Sequence, residues 1–295
     1  MSEAQGIVRP KTAASTALRW LLFAILGLFA LYYLMPLIVM VMTALKPLDE
    51  IRTGSLISPP RNPTLEPTVR AWNSACVGVR CSGLKPYMLN SILMVVPAVL
   101  ISTMLGAING YALTKWRFRG ADLIFGLMLF GAFIPFQVVL LPMARTLGAL
   151  GLAGSLWGLV LVHTVYGLAF TTLFFRNFFV GVSDGIVQAA KVDGAGFFGI
   201  FFRVVAPMAL PAFVVTVIWQ FTQIWNDFLF GIAFSAGDNN PATVALNNLV
   251  ASSTGVKEYN VDMAAAIIAA VPTLLVYVFA GKYFIRGLAA GALKG

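Results

Sequence analysis

The sequence predicts an all-α, polytopic membrane protein: one domain over residues 1–295 with six transmembrane helices. Three observations carry that expectation: the scarcity of charge, its clustering, and the length of the apolar runs between clusters. Of the 295 residues, 59% are hydrophobic and 11% charged, whereas a soluble domain carries about 25% charged residues. A mean hydropathy of +0.87 leaves little for a water-facing surface.

Six runs reach the ~20 apolar residues needed to cross a bilayer. They lie at about 18–45, 87–113, 123–143, 152–175, 207–234 and 263–284. The first follows Arg9, Lys11 and Arg19 and exceeds the ~7–15 apolar residues of a signal peptide, so it reads as an uncleaved span. The second and third flank the basic cluster Lys115-Trp116-Arg117-Phe118-Arg119. Pro97, Pro135, Pro142, Pro211 and Pro272 fall in or near spans, either as packing kinks or as hinges along a path.

Cytoplasmic loops are enriched in Lys and Arg. With the N-terminus inside, twelve of the twenty Lys and Arg fall on the inner side, and six of the outer eight lie in one long loop. Both termini are therefore expected in the cytoplasm, with external loops at 46–86 and 235–262 and an internal loop at 176–206. The net charge of +9 is accounted for by these loops and membrane lipid, and no nucleic-acid partner is expected. Cys76 and Cys81 lie in the first external loop, open to either a small disulfide or two free thiols. No zinc-type spacing or His-rich tract is present, so no metal site is expected.

The internal loop carries the densest pattern. Residues 184–192 are helix-forming with an acidic start, Gly194 permits a sharp turn, and an apolar-basic stretch runs on to Pro207. That is a short helix, a glycine turn and a second helix, with Ala189, Ala190 and Ala195 small enough for close approach by a partner. A simple amphipathic connection at the interface is the plainer alternative.

This segment resembles the loop of bacterial ABC importer permeases that reads Glu-Ala-Ala, three residues, Gly, nine residues, then Ile-x-Leu-Pro. Here it reads Gln188-Ala189-Ala190, three residues, Gly194, nine residues, then Val204-Val205-Ala206-Pro207. Asp193-Gly194-Ala195 matches the carbohydrate branch. Asn90-Ser91, Gly110-Tyr111-Ala112-Leu113, Trp225-Asn226-Asp227-Phe228, and the C-terminal Tyr283–Gly287 and Gly291–Gly295 extend the likeness along nearly the whole chain, to maltose-type "G" subunits. The chain departs at Gln188, where the family has Glu, and at Ser183 and Gly185, where Pro and Glu are frequent. An acidic contact is thereby lost or shifted to Asp184.

The resemblance implies a type I importer permease fold in a bacterial cytoplasmic (inner) membrane. It implies no catalysis and no cofactor on this chain, with ATP and Mg bound by a partner ATPase dimer. It also implies a second permease as heterodimer partner, a periplasmic sugar-binding protein, and a sugar substrate; the long loop with Trp72 is similar to glucose or mannose permeases. Gln188, Ala189, Ala190, Asp193, Gly194, Ala195 and Pro207 would couple to the ATPase. The sequence agrees in lacking a G-x-x-x-x-G-K-[ST] phosphate loop.

Polar or aromatic residues expected at membrane depth, and so along the substrate path, are Asn90, Gln137, His163, Gln223, Trp225, Asn226 and Asp227. The Trp225-Asn226-Asp227 run suits sugar contact and subunit packing equally. His163, the only histidine, reads as packed or path-lining, with a proton relay as the alternative. Competing functions are a permease for glycerol phosphate or a polyol, and a secondary transporter. The latter predicts more buried acids and inverted repeats.

Overall fold

A computed structural model describes residues 13–55, 57–116, 118–251 and 256–292, with side chains between Thr16 and Gly281. Arg9, Lys11, Arg117 and Lys294, together with the side chains of Lys282, Arg286 and the C-terminal motif, lie outside the described residues. The fold is all-α, as expected.

Helix α1 (Ala13–Ala44) exposes apolar side chains from Leu18 to Val41 and packs along the long helix Tyr259–Ala292. Two short helices follow, α2 (Leu48–Thr53) and α3 (Glu66–Asn73). Helix α4 (Lys85–Lys115) is unbroken despite Pro97. Helices α5 (Ala121–Phe133) and α6 (Phe136–Ala149) meet at 101°. Helix α7 (Leu156–Val180) and the short α8 (Asp184–Val192) come next. Helix α9 (Phe197–Ile200) continues through a wide π turn (Phe201–Val205) into α10 (Ala206–Met208). Helix α11 (Leu210–Trp225) turns 80° from that segment. Then come α12 (Leu229–Phe234), α13 (Ala242–Ala251) and α14 (Tyr259–Ala292).

Among the described residues four helices are unbroken and apolar enough to span, and each bent pair supplies at most one more, six in all. The expected third and fifth spans are thus not straight rods, and the interruptions before Pro135 and after Trp225 have local causes. Ile134 precedes Pro135, which disfavours helical backbone in the residue before it, and Ile134 is extended at ψ 125°. The fifth span is interrupted again after Trp225, where Asn226 Nδ2 donates back to the Thr222 carbonyl (2.9 Å). Asp227 Oδ2 accepts from the backbone N–H groups of Phe230 and Gly231 (3.0 and 3.1 Å). Such short polar side chains offer the backbone partners outside the helical ladder, so the span restarts as α12.

The centre of the bundle is the α4–α7 pair. Gly106 and Gly110, four residues apart, let the two backbones approach as small residues do in membrane helix pairs. A Cβ at Gly106 would stand 2.2 Å from Thr171 Oγ1, and one at Gly110 would stand 2.8 Å from the Arg176 backbone nitrogen. Thr171 Oγ1 donates to the Ser102 carbonyl (2.9 Å), and Gln220 Nε2 from α11 donates to Ser102 Oγ (3.1 Å). This buried polar chain ties three spans together.

The two expected external loops fold onto each other. Lys46, only 1% exposed, donates to the Ser55 carbonyl (3.0 Å), and its own carbonyl accepts from Asn260 Nδ2 (3.0 Å). Arg70 makes two hydrogen bonds to the Glu258 carboxylate, each 2.7 Å, and Arg80 pairs with Asp238. Cys76 and Cys81 are joined as a disulfide, one of the two alternatives left open by spacing.

Candidate functional site: the α8–α9 surface and the break in the fifth span

The helix–glycine–helix pattern expected of residues 184–207 is present. Ser183 Oγ caps α8 by accepting from the Gly185 N–H (3.3 Å), Asp184 stands in its first turn and Lys191 in its last, matching the helix dipole. Gly194 adopts φ +82°. The Gly194 and Ala195 N–H groups return to the Lys191 and Ala190 carbonyls (both 3.0 Å), closing the helix end. No atom lies near a Cβ built on Gly194, so the turn selects glycine by conformation rather than by space.

The loop is held firmly from below. Val187 is buried in a cluster with Ala107, Tyr111, Phe175 and Phe179. Tyr111 is fully buried, its hydroxyl accepts from Trp116 Nε1 (2.7 Å), and its ring lies 4.9 Å from Phe197 and 5.5 Å from Phe201. Lys191 Nζ sits 4.1 Å over the Trp116 ring, a cation–π contact. Lys115, its side chain 4% exposed, pairs with Asp184 (2.6 Å) and donates to the Val182 carbonyl. Asp184 thus makes an internal contact across to α4. Sequence reasoning noted Tyr111 and Lys115 only as parts of motifs; what they clamp emerges from the fold.

The outward face of α8 sets small and apolar side chains among polar ones. Gln188 and Ala189 are exposed, as are Asp193 and Gly194, and Val192 is 87% exposed. Ala190 and Ala195 are half-buried against the cluster. Pro207 is exposed in α10. It has no N–H to return to the carbonyl four residues back and crowds that carbonyl, and a π turn sits immediately before it.

The seven membrane-depth residues divide into two groups. Four are engaged inside the fold. Asn90 Nδ2 donates to the carbonyls of Asp238 and Asn240. Trp225 Nε1 donates to the Ala269 carbonyl of α14 (2.9 Å). Asp227 caps α12. His163 is buried against the Phe230 ring (5.6 Å), with Nε2 3.7 Å from Asp227 Oδ2. The other three, Gln137, Gln223 and Asn226, are exposed. Gln137 lies just past the Pro135 break, and Gln223 and Asn226 lie at the end of α11. Phe136 and Phe230 rings (6.2 Å) bring the two breaks side by side. Among the described residues, no group of three His, Cys, Asp or Glu could hold a metal ion.

Known proteins agree with this arrangement. Residues 87–289 match the family described as the binding-protein-dependent transport system inner membrane component. A probable ABC transporter permease of Pyrococcus horikoshii is 45% identical over 63% of this chain and 68% of its own length. The glucose import system permease protein of Saccharolobus solfataricus is 31% identical over 98% of each chain. A solved bacterial ABC transporter chain, from a system importing the acidic polysaccharide alginate, superimposes with a TM-score of 0.80 at 21% identity. The match covers 92% of this chain and 98% of that one, and it fixes the fold as that of an ABC importer permease. The match over 87–289 spans both breaks, the α8–α9 loop and the bundle core, and the chain belongs to the family of binding-protein-dependent transport system inner membrane components.

Proposed function

We propose that this chain is one of two channel-forming subunits of an ATP-driven sugar importer, with both termini in the cytoplasm. As a transport component it is not an enzyme; ATP and Mg bind to a partner ATPase dimer. The observation that carries the reading is the clamped helix–turn–helix of α8 and α9 with its small, exposed outer face. A cleft in an ATPase can close on Ala189 and Val192 without steric conflict. Because Val187, Tyr111 and the Lys115–Asp184 pair bind α8 to α4, a push on α8 moves the span rather than bending the loop. Packed interfaces that shift as rigid bodies are the means by which such motions travel.

The sugar is supported by the relative named for glucose import and by the Asp193-Gly194-Ala195 run. The folded external platform of residues 46–86 and 235–262 is the surface for a sugar-loaded binding protein. Gln188, in place of Glu, offers the ATPase a neutral hydrogen-bonding group.

A thiol crosslink tests the docking. With Cys76 and Cys81 held in their disulfide, Ala189→Cys is expected to crosslink to an ATPase subunit through a short bifunctional thiol reagent, while buried Val187→Cys does not. Recovery of the uncrosslinked chain in both, from membranes where an ATPase copurifies, would remove α8 from the interface.

A further inference from the structure

Gln223 and Asn226 are an unusual pair to leave uncovered on a membrane helix. They stand three residues apart and so share one face of α11. Both are exposed, and among the described residues the Gln223 amide has no hydrogen-bond partner. Thr273 of α14 joins them, its Oγ1 3.5 Å from Asn226 Oδ1. Helix α14 runs from Tyr259 to Ala292, and the expected sixth span within it, about 263–284, is centred at about residue 273. Thr273 therefore lies close to the centre of the span, and Asn226 lies level with it. A polar cluster at that depth faces a water-filled path or a polar partner rather than lipid.

Helix α11 ends at this level, and interrupted helices at membrane depth occur where they line a cavity or are buried in protein. One turn earlier on the same face, four residues before Gln223, stands Trp219. Its half-buried ring is braced on Phe170 (5.2 Å) and Phe174 (5.6 Å). Trp219, Gln223 and Asn226 therefore form an aromatic-amide-amide stripe at i, i+4 and i+7. Carboxamides donate and accept at once, which matches sugar hydroxyls. A braced indole face matches the C–H surface of a sugar ring. The stripe contains no Lys, Arg, Asp or Glu, so it suits an uncharged ligand.

We propose that Trp219, Gln223, Asn226 and Thr273 form a midplane subsite for a neutral sugar, contributed by this subunit. The inference rests on the importer reading and narrows the path from seven candidate residues to two, adding Trp219 and Thr273. Trp225, though adjacent, belongs to packing.

The test uses the whole importer, purified through a tag on this chain and reconstituted in vesicles with its binding protein. Radiolabelled glucose and xylose are the probes, and sugar uptake and ATP hydrolysis are read in the same vesicles. Gln223→Leu and Asn226→Leu are each expected to lower the sugar moved per ATP about tenfold, with the assembled complex recovered at parental yield. Gln223→Ala and Asn226→Ala serve where the leucine variants do not assemble. A parental ratio in the variants overturns the subsite and leaves the importer standing. Uptake and hydrolysis falling together, with loss of complex, overturns it in favour of packing against a neighbouring subunit. If the parental complex moves neither sugar, the importer reading fails and the subsite with it.

Discussion

At Gly194 the backbone stands at φ +82° with open space around the α-carbon. Left-handed backbone costs an ordinary residue about 1–2 kcal/mol, less strain than a β-branched side chain meets there. Asn tolerates the conformation. Gly194→Asn should therefore retain most uptake. Gly194→Val should lose it while the complex still assembles, because the turn between α8 and α9 is re-aimed. Paired uptake and pull-down assays check this, and equal, normal uptake in both variants would show that the turn geometry is dispensable. His163 and Asp227 illustrate the opposite case. Both are ionisable and deep, yet each is absorbed by local structure, against Phe230 and at the start of α12.

Among the elements, the α4–α7 pair depends on small residues at one register. Gly110→Val places a Cβ 2.8 Å from backbone of the facing helix, and overpacking of this kind typically costs about 1–3 kcal/mol. A thermal melt in mild detergent should show the loss. Gly126→Val, where nothing stands within 4 Å, should melt near the parental temperature. A Gly110 variant as stable as the parent would mean the helices separate at no cost. The aromatic stack from Tyr111 to Phe197 and Phe201 extends the same rigid unit into the loop. This unit of α4, α7 and α8 is therefore the part that would carry a push from the proposed ATPase contact.

For the whole molecule, orientation is the decisive quantity. Two exposed side chains report it from opposite ends. Val79, 100% exposed, sits between Cys76 and Cys81, and Val192, 87% exposed, ends α8. A membrane-impermeant thiol reagent should label Val79→Cys, in a Cys76→Ser/Cys81→Ser background, in intact cells. Val192→Cys should label only after the membrane is opened. The reverse pattern would invert the topology and remove α8 from the ATPase side. The platform formed by Arg70–Glu258 and Arg80–Asp238 would then face the cytoplasm. These exposed pairs contribute little energy individually, about 0–1 kcal/mol each. Together with the disulfide and buried Lys46 they set the shape of that surface.

Membrane class, apolar runs and the helix–turn–helix of residues 184–207 were legible in the sequence because each depends on neighbours in the chain. Hydropathy over twenty residues, a cap at Ser183 and a glycine after α8 are local signals. The breaks within the third and fifth spans carried only weak local marks, Pro135 and Asn226-Asp227, which an apolar run of adequate length concealed. Whether a polar side chain faces inward or outward depends on what the other helices cover. Tertiary packing alone put Asn90 and Trp225 into internal hydrogen bonds and left Gln137, Gln223 and Asn226 exposed. It also brought in Trp219, Gln220 and Thr273, whose positions in apolar helices gave no sign of their partners. The reason is physical: a helix period fixes which residues share a face, and only contact with other helices decides which face is closed.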